Sequence, residues 1–86
     1  MAAEVIVYTT NHCPYCIRVK SLLKARDVAF EEINIADDTD ARVALVQRTG
    51  HMTFPQVFIG DTFVGGFDET AAADRDGRLA VLLNGG

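Results

Sequence analysis

The apolar positions of the chain fall into short runs separated by polar breaks, and the period changes from one run to the next. Val5-Ile6-Val7-Tyr8-Thr9 is continuous and rich in β-branched residues, the pattern of a buried strand. Residues 10–12 break it as a loop. Cys16, Val19, Leu22 and Leu23 then recur at helical spacing, with Arg18, Lys20 and Lys24 on the other faces, so an amphipathic helix runs to Arg26-Asp27. Pro14 fits the first turn of that helix, where its missing N–H is no loss, and this makes Cys13 the N-cap. Val28, Phe30, Ile33 and Ile35 predict a second strand over 28–35, although the alternation slips at Glu31-Glu32. Residues 36–40 form a polar turn, with Asp38 or Thr39 as cap. Val43, Leu45 and Val46 give the next helix an apolar side, and Gly50 stops it. Residues 56–59 and 62–64 are two strands joined at Gly60-Asp61, a two-residue hairpin turn. Gly65-Gly66 interrupt the pattern, Asp68 or Thr70 opens a last helical region, and Asp76-Gly77 divide it before Leu79, Leu82 and Leu83.

The order is therefore β-α-β-α-β-β-α. A helix joins the first two strands, so the right-handed crossover rule makes them parallel, and the last two form an antiparallel hairpin. The expected fold class is α/β: a four-stranded mixed sheet flanked by helices, in three layers. No linker, internal repeat or low-complexity segment divides the chain, so residues 1–86 read as a single domain.

Composition narrows the function. A chain of 86 residues has one modest core and little room for an elaborate pocket. At 49% hydrophobic and 23% charged it is a folded composition, not a disordered one. No apolar run approaches the roughly 18 residues of a membrane span, so no membrane association is expected. Met1-Ala2-Ala3-Glu4 lacks the basic and apolar regions of a secretory signal, and the expected location is cytoplasmic. A net charge of −4 disfavours nucleic acid, whose binders carry a basic surplus. The charge is also unevenly placed. Arg18, Lys20, Lys24, Arg26, Arg42 and Arg48 lie in the first part of the chain, while Asp61, Asp68, Glu69, Asp74 and Asp76 load its end. A small anionic or zwitterionic partner can use both. The Arg18, Lys20 and Lys24 face reads as solvated, with a capacity to steer acidic partners.

Both cysteines of the chain lie in Cys13-Pro14-Tyr15-Cys16. Two thiols at this spacing close a small disulfide ring with little backbone movement, and in a reducing compartment such a pair is catalytic or metal-binding. Structural zinc takes four protein ligands, which here means adding His12 and His51 to the pair. Pro14-Tyr15 in a helix start argues for redox chemistry instead, and no metal is expected. His12 reads as a loop residue and His51 as an exposed one beside Gly50.

Cys13-Pro14-Tyr15-Cys16 after a strand, Thr53-Phe54-Pro55-Gln56 before one, and Gly65-Gly66-Phe67-Asp68-Glu69 before the last helix together resemble a dithiol glutaredoxin, in its short bacterial glutaredoxin 3 type. The likeness covers essentially the whole chain. It implies the thioredoxin fold, and the reduction of protein disulfides and protein–glutathione mixed disulfides with glutathione as electron donor and no tightly bound cofactor. Cys13 is then the nucleophile and Cys16 the resolving thiol. Pro55 is the cis-proline facing the pair. Phe54 offers its backbone to glutathione like an added strand, and Gly66, Asp68 and Glu69 hold the γ-glutamyl end. Arg42 holds the glycine carboxylate, with Arg48 as the other candidate, and Tyr15 flanks the sulfur. Implied partners are disulfide-containing or glutathionylated proteins, ribonucleotide reductase among them, and a monomer is expected. Two departures stand out: Thr10 sits where many relatives carry lysine, and Phe54 where they carry valine. Two other functions share the fold: a redoxin fed by thioredoxin reductase, and an iron–sulfur carrier bridged through Cys13.

The residue types suit thiol chemistry on their own terms. The thiolate attacks a disulfide, and at an unperturbed pKa of about 8.5 only roughly 3% of a cysteine is thiolate at pH 7. A helix N-terminus aims free N–H groups and the positive end of the dipole at Cys13. Thiols so placed fall to about 3.5–7.5. Cys16, one turn further in and facing the core, keeps a higher value, and the asymmetry separates attack from resolution.

Overall fold

The computed structural model describes residues 3–85. Its elements run β1 (Val5–Thr9), α1 (Pro14–Ala25), β2 (Glu31–Asn34), α2 (Thr39–Thr49), β3 (Gln56–Ile59), β4 (Thr62–Gly65), α3 (Phe67–Asp76) and α4 (Arg78–Leu83). The strands make one four-stranded sheet in the order β2-β1-β3-β4. β1 and β2 are parallel, and the other two pairs are antiparallel. This is the mixed α/β sheet read from the pattern of apolar positions.

Strand periodicity sorts the core into two. Alternate residues point to opposite faces, so Val5 and Val7 of β1 pack with Val57 and Ile59 against Val19 and Leu23 of α1, Ala73 of α3 and Leu79 of α4. Ile6 and Tyr8 face the other way, with Phe58, Ile33 and Ile35, against Leu45 and Ala41 of α2. The sheet is thereby sandwiched between α2 and the other helices, which puts the end of β1 and the start of β3 side by side at one edge of the core.

Three local expectations are corrected. β2 begins at Glu31, because residues 28–30 serve α1 instead: Asp27 turns with φ 56°, and the Val28 N–H donates to the Leu23 carbonyl at 2.9 Å. Val28 and Phe30 are apolar because they pack on the first core from a connecting segment. Val43 is 52% exposed, since Leu45 and Ala41 carry the inward side of α2. The last helical region opens at Phe67, not at Asp68 or Thr70, with Gly66 as N-cap. Glycine has no side chain to accept from the first-turn N–H groups, and only the reciprocal half of a capping box is made: the Glu69 carboxylate accepts from the Gly66 N–H at 2.7 Å. The division at Gly77 is as expected, with φ 89° ending α3.

α1 and α3 are also joined far from their N-termini. Arg26 donates from Nε and Nη2 to the two carboxylate oxygens of Asp74, each at 2.9 Å. That bond, ahead of the charge attraction, holds the Asp74 carboxyl below its usual range and raises the Arg26 guanidinium.

Candidate active site

The site forms where the loop after β1 meets the loop before β3. His12 takes a left-handed φ of 55°, and Cys13 follows in an extended conformation, φ −114° and ψ 98°, as the N-cap of α1. Pro14 occupies the first turn, and the Cys16 N–H donates to the Cys13 Sγ at 3.2 Å. This is a capping bond in which sulfur replaces the usual oxygen. Cys13 and Cys16 are joined as a disulfide, with their Cα atoms 5.2 Å apart. Cys13 is half-buried, whereas Cys16 is 2% exposed. A thiol arriving from solvent therefore reaches the Cys13 sulfur and not the other.

The first turn of α1 carries no acidic residue, so nothing local opposes the dipole at Cys13. Lys20 is held by Glu32 at 3.1 Å. The Glu32 carboxyl lies below its usual range, first because the buried Thr9 hydroxyl donates to it at 2.8 Å and then because of Lys20. Of the three cations taken as one solvated face, Lys20 is thus paired. Arg18 is placed differently again. Its guanidinium lies 5.5 Å from the ring centroid of Tyr15 and 5.7 Å from that of Phe67, and the two rings are 6.0 Å apart. A cation on two aromatic faces is attracted by both, so Arg18 braces the Tyr15 side of the site.

Facing Cys13 is the Phe54-Pro55 segment, whose peptide bond is cis, as the resemblance implied. The Phe54 carbonyl oxygen lies 3.5 Å from the Cys13 Sγ. In the disulfide form that sulfur has no proton to donate, so this is a contact and not a hydrogen bond. Tyr15, Phe54, Pro55, Gly66, Asp68 and Glu69, all singled out in the sequence, line one cleft of about 360 Å³ together with His51, Thr53 and Phe67. Arg42 does not line it. With Val43, Val46, Gln47 and Met52 it borders an adjoining apolar groove of about 420 Å³, and Phe54 is the wall common to both. Arg48 is stacked on Phe58, 4.4 Å from the ring centroid.

The double glycine has a steric reason. Gly65 has φ 126°, and a Cβ there would stand 2.7–2.8 Å from Oε1, Cβ and Cγ of Glu69. The turn thus admits the Glu69 side chain only because Gly65 has none. Glu69 is committed to the Gly66 N–H, which leaves Asp68 as the uncommitted carboxylate of the pair. Sequence reasoning missed Phe67, Thr53 and His51. His51 is half-buried and packs edge-on against Phe63 with centroids 4.9 Å apart, not exposed as expected. It also missed the Glu69 cap, although Gly66 and Glu69 have capping-box spacing. Among the described residues no three His, Cys, Asp or Glu side chains are grouped to hold a metal ion, so His12, His51 and the cysteine pair do not assemble as one ligand set.

Fold and site together define a thioredoxin-fold dithiol oxidoreductase. The glutaredoxin family profile matches residues 5–64. The chain is 45% identical over 80 residues to a glutaredoxin of Pseudomonas aeruginosa, covering 93% of this chain and 95% of that one. It is 41% identical over 81 residues to glutaredoxin 3 of Escherichia coli, covering 94% and 98%. Its fold superposes on the crystal structure of a buckwheat glutaredoxin–glutathione complex with TM-score 0.87 and 34% identity, over 95% of this chain and 77% of that one. The chain belongs to the glutaredoxin family, and is a glutathione-dependent thiol–disulfide oxidoreductase with Cys13 and Cys16 as its redox pair.

Proposed function

We propose that Cys13 is the attacking sulfur, that Cys16 resolves, and that the cleft and the groove beside it take one glutathione across Phe54. The observation that carries this is the difference in access between the two sulfurs, 2% exposure at Cys16 against a half-buried Cys13 that accepts the Cys16 N–H. That N–H and the helix dipole favour a negative charge on Cys13 in the reduced form.

Two reactions follow. With a glutathionylated protein, the Cys13 thiolate attacks the glutathione sulfur, the protein thiolate leaves, and Cys13 carries glutathione as a mixed disulfide. A second glutathione thiolate attacks that sulfur, releasing glutathione disulfide and restoring the Cys13 thiolate. With a protein disulfide, Cys13 forms a mixed disulfide with one protein sulfur. Cys16, as thiolate, then attacks the Cys13 sulfur, the protein leaves as its dithiol, and the Cys13–Cys16 disulfide remains. Two glutathiones reduce it.

Glutathione carries two carboxylates and one ammonium. A tripeptide backbone extends about 10 Å, long enough to cross Phe54 from one depression to the other. In this reading Phe54 pairs with its backbone, Asp68 attracts the ammonium through its side chain, and the free N–H groups at Asp68-Glu69 meet the γ-glutamyl carboxylate. Arg42 takes the glycine carboxylate in place of the lysine absent at Thr10, and Tyr15 closes over the sulfur. Arg48 is less suited, its guanidinium being stacked on Phe58. The partners assigned are disulfide-containing and glutathionylated proteins of the cytoplasm, ribonucleotide reductase being one to assay, and the chain is assigned to act as a monomer. Turnover is expected with glutathione and glutathione reductase as the electron source; turnover only with thioredoxin reductase would sink the glutathione assignment.

A further inference from the structure

Gln56 opens β3 with a fully buried side chain in front of three apolar residues, and none of the chemistry above uses it. A buried amide must pair its N–H and C=O groups, and this one pairs with a single segment. Its Nε2 donates to the carbonyls of His51 at 2.7 Å and Thr53 at 3.1 Å. Its Oε1 accepts from the Thr49 hydroxyl at 2.9 Å, and the Thr49 oxygen accepts from the His51 N–H at 3.1 Å. The loop that delivers Phe54 is thus hung from one interior point.

We propose that Gln56 is a positioning residue for the reaction: it fixes the plane of the Thr53–Phe54 peptide so that the Phe54 N–H is presented to the glutathione backbone. Among the described residues only Phe54–Pro55 is cis, so Thr53–Phe54 is trans, and a trans peptide directs its C=O and N–H to opposite sides. The Thr53 carbonyl turns inward to Nε2. The Phe54 N–H therefore turns outward, on the side that lines the cleft, and it finds no acceptor among the described residues. Pro55 has no N–H to offer, so the Phe54 N–H is the donor this short segment has for pairing with an extended ligand. Without Nε2 the Thr53 carbonyl loses its inward partner and the peptide is free to rotate. Packing alone does not account for a glutamine here, because methionine fills a similar volume without polar atoms to satisfy.

The inference rests on the glutathione reading, and the test separates the two. Gln56→Met is compared with Thr49→Val, which also unpairs a buried polar atom but leaves the Thr53 carbonyl bonded to Nε2. Steady-state rates are measured against glutathione concentration, well below each variant's melting point. Gln56→Met is expected to raise the KM for glutathione about 3–10-fold, the worth of one hydrogen bond. Its kcat and the pH profile of Cys13 alkylation should stay those of wild type. Thr49→Val should leave the KM within about twofold. A Gln56→Met KM that does not rise, or an equal rise in Thr49→Val, overturns the inference. If wild type itself shows no saturation by glutathione, the glutathione reading fails and takes the inference with it. Should Gln56→Met not fold, hydrogen exchange on Cys16→Ser protein decides. The Phe54 amide should exchange freely alone and slow when Cys13 carries glutathione, and equal rates in both states overturn the inference.

Discussion

The two walls of the site are built by different means. The wall that carries the sulfurs is local: Cys13, Pro14 and Cys16 lie within the first turn of one helix, and the bond that shapes them spans three residues. The facing wall is assembled from two separate segments, each tied by a side chain of its own: the loop ending in Phe54-Pro55 hangs from the buried Gln56, and the Gly66 turn is closed by Glu69. Reactivity therefore resides in one helix start, while the choice of ligand resides in two separate segments that the fold brings together. The difference implies that the two properties can be damaged separately.

The largest effects belong to the first wall. Cys13→Ser is expected to abolish every activity, because no other thiol is accessible. Cys16→Ser should block reduction of protein disulfides yet retain removal of glutathione from mixed disulfides, which needs one protein thiol. Assays of both substrates on both variants check this, and equal loss of the second activity in the two would reverse the assignment of roles.

Gly65→Ala acts on the second wall alone. A Cβ at φ 126° meets Glu69 atoms at 2.7–2.8 Å. The first turn of α3 must shift, or Glu69 must release the Gly66 N–H. Backbone strain and overpacking together cost about 2–4 kcal/mol, to be read from urea unfolding. The folded fraction should show a raised KM for glutathione and an unchanged rate of Cys13 alkylation. An alkylation rate that falls in step with stability would show that the two walls are not separable.

This division also explains what was legible in the sequence. β1, α1 with Cys13 as N-cap, and the Gly60-Asp61 hairpin rest on periodicity and on residues with fixed local preferences, and they are present as read. The pattern overextends β2 because Val28 and Phe30 are apolar for a different reason: they cover the core from a connecting segment. The pattern misplaces the start of α3 because its N-cap is a glycine whose N–H is held by a glutamate three residues on, and no side chain at Gly66 announces it. Gln56 reads as the polar member of a strand, and only its three partners reveal that it holds the loop. Arg18 is exposed, as a solvated helix face predicts, but its place over Tyr15 and Phe67 shows only once the chain folds the two rings together. In each case the missing information is a contact that only the folded chain displays.

Arg42→Ala tests how far the second wall extends. If the adjoining groove receives the glycine carboxylate, the KM for glutathione should rise about 3–10-fold with kcat little changed. Arg48→Ala should leave it where it is, its guanidinium being stacked on Phe58. A change confined to kcat in the Arg42 variant would remove the groove from the binding site and leave the 360 Å³ cleft to act by itself.

The smallest effect concerns the tie between the walls. Arg26 of α1 and Asp74 of α3 are joined by two bonds of 2.9 Å, so the helices carrying Cys13 and the Gly66 turn are fastened at their far ends. The Asp74 carboxyl titrates below its usual value, chiefly through the Arg26 hydrogen bond. A group whose folded pKa is depressed contributes stability above its unfolded pKa, about 3.9 for aspartate, and loses that contribution as pH falls through the folded value. Asp74→Asn should therefore lower the melting temperature slightly at pH 7. The difference from wild type should shrink as the pH is brought down through that acid range. Because the pair is solvent-accessible, added salt should shrink it as well. The KM for glutathione and the alkylation of Cys13 should not change, since each wall keeps its own internal bonds. Thermal scans of both proteins across the acid range check the sign. A difference that grew on acidification would mean that Asp74 stabilises the fold by something other than its charge.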